Sequence, residues 1–206
     1  DWGRWACEGA GDYPVETGCV GAGTGAFSHS IKGGLGSASL TMDSGVTVAA
    51  LVAVNSDGSV IDPDNGRPWE IRLEVGHEFG AKGKRAVKLP QAPQSEPAKN
   101  TTIGIVATDA ALTATQTQKV AQMAHDGMAR AIRPAHTMFD GDTIFCLATG
   151  KKELPEAPGF FIAPKALALN ELGHVAANCM SRAIIHAILN ARSLAGMTAF
   201  CDLTNM

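Results

Sequence analysis

The feature that most limits the possible folds is an apolar run at residues 46–54, which spells VTVAALVAV. A run of this kind, without polar alternation, is typical of a strand that is buried on both faces. Such a strand needs a layer of structure on each side of its sheet. Two further apolar runs, at residues 101–108 and 143–149, have the same character. We therefore expect a layered fold built around a sheet.

Two segments carry the 3.6-residue repeat of an amphipathic helix. Thr113 and Gln116 form a capping box, and the pattern that follows predicts a helix over residues 115–133. A longer helix is predicted after Pro164, with an apolar stripe along one side. Since the strands mix with helices without strict βαβ alternation, the predicted class is α+β.

Four other segments give local predictions. The glycine-rich residues 18–36 predict a shaped loop whose backbone packs closely against other groups. Residues 55–62 combine a turn sequence with a short return strand, which predicts a hairpin with the first apolar run. Residues 69–75 alternate apolar and charged side chains, as a half-buried strand does. Residues 80–100 carry lysines and prolines without periodicity and predict an exposed linker.

Composition excludes several classes of protein. A chain of 206 residues favours one domain, and a net charge of −3 without a basic stretch argues against nucleic-acid binding. No window reaches the roughly 20 apolar residues of a membrane span. Five scattered cysteines form no CxxC pair, which indicates reduced thiols and a cytoplasmic protein. The chain starts at Asp1 without a targeting peptide, so we expect it to be a piece of a longer protein.

The junction between Asn100 and Thr101 permits two interpretations. It is an ordinary boundary between linker and strand, or it is a bond that breaks and leaves Thr101 with a free α-amine. An α-amine has an unperturbed pKa of about 7.7–8.0 and can take the proton of the hydroxyl on the same residue. Cleavage would therefore convert a weak nucleophile into a self-activated one.

A second candidate is the pair Asp140 and Asp142, which flank a glycine before a strand and follow His136. Aspartates are common in turns as solvated or capping residues. A metal site is an alternative, although the spacing lacks the further ligands of a calcium loop. The third interpretation is catalytic, with the carboxylates orienting and tuning a nearby ammonium or hydroxyl group.

Lys32 and Asn55 are the remaining candidates. Lys32 is a lone cation among glycines, either exposed or half-buried so that it holds an oxyanion. Asn55 ends the first apolar run, and its amide either forms the turn or donates to a developing oxyanion. The glycines before Lys32 lack both the phosphate-loop lysine and the dinucleotide-binding context, so close backbone packing is the better interpretation.

Several of these motifs, in fixed order between about residues 18 and 192, resemble one family. It is the DmpA-type or P1-family peptidases, which include L-aminopeptidase/D-esterases, β-peptidyl aminopeptidases and 6-aminohexanoate (nylon) oligomer hydrolases. The matching motifs are Gly21-Ala-Gly-Thr-Gly, Lys32-Gly-Gly-Leu-Gly-Ser-Ala-Ser, Val52-Ala-Val-Asn55, Asn100-Thr-Thr-Ile-Gly-Ile-Val, Arg133-Pro-Ala-His-Thr and Asp140-Gly-Asp-Thr.

The resemblance implies an autoprocessing amide hydrolase with an N-terminal threonine as its nucleophile. The chain would be cut between Asn100 and Thr101, so that residues 1–100 are the C-terminal part of a larger subunit and residues 101–206 the smaller subunit. The implied fold is a four-layer α/β/β/α sandwich, of which this chain, residues 1–206, is one partial domain. Homo-oligomers, a small peptide or amide substrate, and no metal or cofactor are also implied.

Residue roles follow from the same resemblance. Asp140 and Asp142 match paired aspartates that would orient Thr101 and its amine. Lys32 and Asn55 match a lysine and an asparagine that would polarise the amide carbonyl and stabilise the oxyanion. A threonine after an asparagine is more similar to the nylon-oligomer hydrolases than to the aminopeptidases, which typically have a serine after a glycine.

One departure affects the site. Family members carry a long N-terminal segment with an active-site tyrosine, and Tyr13 does not occupy that position. We therefore expect the N-terminal part to be missing from this chain or to pack against it as a separate piece. Two alternative functions stay open: a metal-dependent hydrolase that uses Asp140, Asp142 and His136, and a non-catalytic assembly or binding subunit.

Overall fold

The computed structural model of the chain describes residues 1–92, 100–157 and 163–206, which contain both strands and helices. In these residues the strands are β1 (Phe27–Ser28), β2 (Ile31–Lys32), β3 (Gly34–Thr41), β4 (Thr47–Val54), β5 (Ile103–Ala110) and β6 (Thr143–Lys152). The α-helices are α1 (Trp2–Glu8), α2 (Gly80–Gly83), α3 (Ala114–Ala131) and α4 (Ala166–Leu189). Short 3₁₀ turns lie at Gly21–Gly23, Ile71–Leu73 and Phe200–Asp202.

The main sheet of the described residues joins β3, β4, β5 and β6 in that spatial order. β4 is antiparallel to both β3 and β5, whereas β6 lies parallel to β5. A parallel pair needs a crossover connection, and α3 provides it. The three predicted apolar runs are thus confirmed as adjacent strands.

The two long helices are confirmed and cover one face of this sheet. α3 begins with the predicted capping box: the Thr113 hydroxyl accepts from the Gln116 amide at 3.3 Å, and the Gln116 side chain accepts from the Thr113 amide at 2.9 Å. α4 packs against α3, β3 and β4, and most of its residues are buried. Among the described helices, none combines the length and the apolar character that crossing a bilayer requires.

The glycine-rich segment is partly a strand, which corrects the prediction of a loop over residues 18–36. Residues 34 onward form β3, which lies directly beneath α4. A Cβ atom at Gly36 would stand 2.0 Å from the carbonyl oxygen of Ala183, and one at Gly34 would stand 2.5 Å from that of Ala187. Glycine is required here because the helix backbone rests on the strand backbone.

The predicted hairpin partner of β4 is wrong. β4 pairs with the preceding β3 and the following β5, so both of its edges are filled. Residues 59–62 make isolated bridges instead, Ser59 with Arg133 and Ile61 with Pro68. The turn after β4 was recognised correctly, but it leads the chain out of the sheet.

Two other local predictions need correction. The segment 69–75 contains a 3₁₀ turn rather than a strand, because Glu70 is buried against Arg72 and Arg133 instead of facing solvent. The first part of the predicted linker is structured, with α2 and a buried Val87. Residues 93–99 of that linker lie outside the described residues.

The two faces of the sheet differ. Along β4, alternate residues are fully buried under the helices and the intervening ones are only half-buried. On the same outer face, β5 and β6 expose large apolar side chains: Ile103, Ile105, Phe145 and Leu147 are 48%, 38%, 58% and 48% exposed. The prediction that β4 is buried on both faces therefore holds for the face under the helices. The other face of β4 is only half-buried in the described residues.

Candidate active site

The strand register brings the candidate residues to one end of the sheet. β3 begins just after Lys32, β4 ends just before Asn55, and β5 begins just after Thr101. Gly34 pairs with Val54, Ala53 with Ile103, and Ile103 with Thr143, so these strand ends lie side by side. The loop with both candidate aspartates leads into β6 at the same end. Residues far apart in sequence thus form a single site.

The Thr101 hydroxyl lies against the peptide bond that is predicted to break. Its Oγ1 donates to the carbonyl oxygen of Asn100 at 2.6 Å. The Gly141 amide donates to the same oxygen at 2.9 Å. A Cβ atom at position 141 would stand 2.9 Å from Thr101 Oγ1, so this position favours glycine. The Asn100 carbonyl oxygen therefore accepts two hydrogen bonds, one from the hydroxyl of the predicted nucleophile and one from the Gly141 amide.

Asn100 is clamped as if it were one residue of an added strand. Its amide donates to the Phe139 carbonyl at 2.9 Å, and its carbonyl accepts from the Gly141 amide. These two hydrogen bonds make a parallel bridge between Asn100 and Asp140. The residue is buried, and its Oδ1 has no hydrogen-bond partner among the described residues. The buried Thr102 hydroxyl shares this property. Buried polar atoms without partners in the described residues thus lie on both sides of Thr101 in the sequence.

Asp142 fixes the start of β5. Its Oδ1 accepts from the Thr102 amide at 2.9 Å. Its Oδ2 accepts from the His136 amide at 3.2 Å and lies 2.8 Å from His136 Nδ1. The carboxylate is 3% exposed, so these contacts satisfy it away from solvent. Asp142 therefore holds Thr102, the residue next to the predicted nucleophile.

Asp140 ties two loops of the site together. Its Oδ1 accepts from the Asp57 amide at 3.1 Å, in the turn that follows Asn55. Its Oδ2 accepts from the Thr137 amide at 3.0 Å and the Thr137 hydroxyl at 2.8 Å. In the described residues, the Thr101 hydroxyl bonds to the Asn100 carbonyl rather than to either carboxylate. The two aspartates thus accept from the loops around the Asn100–Thr101 junction and not from the Thr101 hydroxyl.

Lys32 is buried rather than exposed, with 2% of its surface accessible. Its ammonium donates to the carbonyls of Gly23 at 2.9 Å, Ala26 at 2.5 Å and Gly33 at 3.1 Å. Burial lowers the pKa of Lys32, and the nearby Cys19 opposes this effect. The glycine-rich loop is therefore a cage of carbonyls around a buried cation.

Asn55 is half-buried at the end of β4. Its Oδ1 accepts from the Phe27 amide at 3.2 Å. This contact orients the side chain and leaves its NH₂ group as the donor. Asn55 is thus placed as a donor at the end of the sheet where Thr101 lies.

Sequence reasoning did not single out His125 or Gly141. His125 Nδ1 lies 3.3 Å from His136 Nε2, and both rings line an open pocket with Asp140, Gly141 and Asp142. Burial lowers the pKa of His125, and the adjacent His136 acts in the same direction. The one sequence signal for Gly141 was its place between two aspartates.

The donor set does not favour the metal alternative. In the described parts of the chain, no group of three or more His, Cys, Asp or Glu residues is arranged to hold a metal ion. His136 and Asp142 bond to each other, and both Asp140 oxygens accept from Asp57 and Thr137. These oxygens are occupied by donors from the protein itself.

Comparison with known proteins finds relatives over most of the chain. The family model of peptidase family S58 matches residues 3–200. An uncharacterized aminopeptidase of Mycobacterium tuberculosis is 43% identical over 212 residues, which cover 98% of this chain and 61% of the relative. A 6-aminohexanoate-oligomer endohydrolase of Kocuria sp. is 29% identical over 147 residues, which cover 69% of this chain and 41% of that protein. The chain thus spans less than two thirds of the length of these relatives.

Solved structures share the fold. A β-aminopeptidase of Burkholderia sp. matches with a TM-score of 0.67 and 26% identity, over 96% of this chain and 54% of that one. The L-aminopeptidase D-Ala-esterase/amidase of Ochrobactrum anthropi, a variant of the N-terminal nucleophile hydrolase fold, matches with a TM-score of 0.66 and 24% identity, over 94% and 50%. The predicted resemblance and the predicted α+β sandwich class are confirmed. In the described residues, α3 and α4 pack on one face of the four-stranded sheet, and β1 and β2 form a separate two-stranded sheet.

Proposed function

Because the chain belongs to peptidase family S58, we propose that it carries the nucleophile of an amide hydrolase that processes itself. The protein cuts its own bond between Asn100 and Thr101 and then uses Thr101 to hydrolyse a small peptide or amide. Residues 1–100 become part of a larger subunit, and residues 101–206 form the smaller one. The observation that carries the proposal is the 2.6 Å contact between Thr101 Oγ1 and the Asn100 carbonyl oxygen.

Self-cleavage begins when Thr101 Oγ1 attacks the Asn100 carbonyl carbon. The oxygen–carbon bond forms, and the Gly141 amide stabilises the negative charge that develops on the carbonyl oxygen. The carbon–nitrogen bond then breaks, and the hydroxyl proton passes to the released nitrogen. Water hydrolyses the ester, which leaves a carboxylate on Asn100 and a free α-amine on Thr101.

Substrate hydrolysis repeats this chemistry on another molecule. The α-amine of Thr101 accepts the hydroxyl proton as Oγ1 attacks the substrate carbonyl, and it later gives that proton to the leaving amine. Water resolves the acyl-enzyme. Asp142 positions the nucleophile through the Thr102 amide, and its negative charge, with that of Asp140, steadies the ammonium form between steps.

Lys32 and Asn55 complete the site in this proposal. The NH₂ group of Asn55 is oriented by the Phe27 contact, so it can donate to the oxyanion at little reorganisation cost. The buried Lys32 ammonium contributes positive potential from within its carbonyl cage. Both favour charge on the carbonyl oxygen of the transition state.

The proposal includes a partner for the outer face of the sheet. That face presents Ile105, Phe145 and Leu147 to solvent, and apolar patches of this kind mark interfaces. We propose that the rest of the protein, N-terminal to this chain, supplies the second sheet and its helices. Assembly into a homo-oligomer belongs to the same proposal. The cysteines of the described residues are free thiols, which suits a cytoplasmic location.

Replacement of Thr101 in the complete protein tests the function. Thr101→Ala should leave one uncut chain on a denaturing gel and abolish amide hydrolysis, whereas Thr101→Ser should retain both. Intact-mass measurement of the wild type should find a fragment that begins Thr-Thr-Ile-Gly. If cleavage and hydrolysis are unchanged in Thr101→Ala, this chain is a non-catalytic assembly or binding subunit and the activity has another source.

A chelator separates the proposal from the metal alternative. Hydrolysis through Thr101 should be unaffected by EDTA at millimolar concentration. Loss of activity with EDTA, restored by a divalent cation, would favour the hydrolase that uses Asp140, Asp142 and His136.

A further inference from the structure

The backbone groups that hold Asn100, the Phe139 carbonyl and the Gly141 amide, also indicate which substrates can bind. In the proposed function the same Oγ1 attacks both the self-cleavage carbonyl and the substrate carbonyl, and the Gly141 amide is the donor that lies beside this Oγ1. A substrate carbonyl therefore has to enter the position that the Asn100 carbonyl holds before cleavage. From this we propose that the acylating residue of the substrate replaces Asn100 between the Phe139 carbonyl and the Gly141 amide. These two backbone groups, which we call the clamp, select α-aminoacyl groups. This inference rests on the proposed function.

The clamp accepts a residue only if its nitrogen and its carbonyl are separated by the distance found in Asn100. The Asn100 nitrogen donates to Phe139 O at 2.9 Å, and its carbonyl accepts from Gly141 N at 2.9 Å. This is the pattern of a residue in a parallel bridge, here with Asp140. An α-aminoacyl group has one carbon between its nitrogen and its carbonyl, so it makes both contacts. The binding mode is addition of a strand residue to an existing backbone.

Longer amino acids do not fit both ends of the clamp. A β-aminoacyl group adds one methylene between the nitrogen and the carbonyl, which displaces the nitrogen by roughly one carbon–carbon bond of about 1.5 Å. A 6-aminohexanoyl group adds several methylenes, so its nitrogen leaves the clamp entirely. With the carbonyl fixed at Gly141 and Thr101, each misfit sacrifices the bond to Phe139.

The space around the Asn100 side chain sets the size of the acylating residue. The residue as a whole is 4% exposed, and its Oδ1 is buried with no hydrogen-bond partner in the described residues. A buried acceptor without a partner is unfavourable, whereas an apolar group of the same shape is not. Leucine has nearly the shape of asparagine and no polar atom. The subsite thus favours leucine over asparagine and excludes tryptophan.

A substrate series with one leaving group tests the proposal on the complete, processed protein. The probes are the p-nitroanilides of L-leucine, L-asparagine, L-tryptophan, β-homoleucine and 6-aminohexanoic acid. Relative to leucine, kcat/KM should fall about fivefold or more for β-homoleucine, since one hydrogen bond is lost or strained. It should fall further for 6-aminohexanoic acid, and by about tenfold or more for tryptophan, which overfills the subsite.

Self-cleavage gives a second reading of the same subsite. The precursor variants Asn100→Leu, Asn100→Ala and Asn100→Trp should cleave in the order leucine, alanine, tryptophan, followed by the fraction cut on a denaturing gel over time. Met138→Ala is the control, because this side chain in the same loop is 96% exposed and should leave both rankings unchanged. If none of the anilides is hydrolysed, the self-cleavage ranking decides.

The outcomes distinguish the subsite from the function. A 6-aminohexanoyl or β-homoleucyl anilide cleaved as fast as the leucyl one would overturn the clamp, while loss of activity in Thr101→Ala would still uphold the nucleophile. Equal self-cleavage of Asn100→Leu and Asn100→Trp would also overturn it. Hydrolysis that survives in Thr101→Ala would instead refute the proposed function.

Discussion

The amide of Gly141 donates to the carbonyl oxygen of Asn100 at 2.9 Å, and the Thr101 hydroxyl donates to the same oxygen. The segments that lead into β5 and β6 thereby both donate to the carbonyl oxygen of one peptide bond. This arrangement exists because β5 and β6 are parallel and start in register, Ile103 opposite Thr143. The geometry of the bond is therefore a product of sheet topology.

Gly141→Ala should lower the rate of self-cleavage strongly and change the melting temperature only a little. The new Cβ would stand 2.9 Å from Thr101 Oγ1, so the hydroxyl must move away from the carbonyl that we propose it attacks. A misplacement of about 1 Å can reduce a rate about a hundredfold. The fraction of cut chain over time measures the effect. Gly3→Ala is the matched control, since a Cβ at that position meets nothing within 4 Å.

Asp142→Asn should both block self-cleavage and lower the melting temperature. The carboxylate accepts from the Thr102 amide and from His136, and an amide group in its place turns a donor toward other donors. Leaving such buried groups unpaired costs about 1–3 kcal/mol. Asp43→Asn, at an exposed position, is the control. Wild-type cleavage in Asp142→Asn would show that this carboxylate does not position Thr101.

The ion cluster of Glu78, Arg182 and His186 should make the fold sensitive to acid. Burial alone raises the pKa of Glu78, but hydrogen bonds from Arg182, His186 and the Val75 amide outweigh it and lower the pKa to about 2 from 4.5. A carboxylate with a depressed pKa stabilises the fold above its unfolded pKa. This stabilisation is lost as the pH falls from about 4.5 toward about 2.

Urea titrations of Glu78→Gln measure that contribution. Arg182 is nearly buried and would lose its partner, so the variant should be less stable than wild type by about 3 kcal/mol at pH 7. The difference should shrink at pH 3. Glu153→Gln breaks an exposed pair with Lys165 and should change stability by less than about 1 kcal/mol. A difference for Glu78→Gln that does not depend on pH would contradict the assignment.

The sequence predicted the strands and helices that have a strong repeat, and it missed those that are shaped by their neighbours. β3 was not recognised because its glycines are required by close packing against the backbone of α4, and local sequence does not reveal this contact. The hairpin prediction failed since the turn at residues 55–58 ends β4 but does not say which strand fills the adjacent edge. Strand pairing is a long-range property.

The candidate site was predictable in part for a related reason. Asn55, Thr101, Asp140 and Asp142 each flank an apolar run, so strand boundaries located them in sequence. Their side-chain partners were not predictable: the carbonyl cage of Lys32 and the contact of Asp140 with the Asp57 amide depend on how loops fold over one another. Gly141 acts through its backbone, which a search for reactive side chains overlooks.

The outer face of the sheet provides the last prediction, which concerns the partner. Phe145 is 58% exposed in the described structure, so Phe145→Asp would be nearly neutral if that face met solvent. If the N-terminal part of the complete protein covers the face, the aspartate is buried without a partner and stability should fall by more than about 2 kcal/mol. Thermal melting of the complete protein measures this, with Leu167→Asp, at a 64% exposed position on α4, as the control. Equal melting temperatures for both variants would mean that the face stays open, and that the second sheet lies elsewhere.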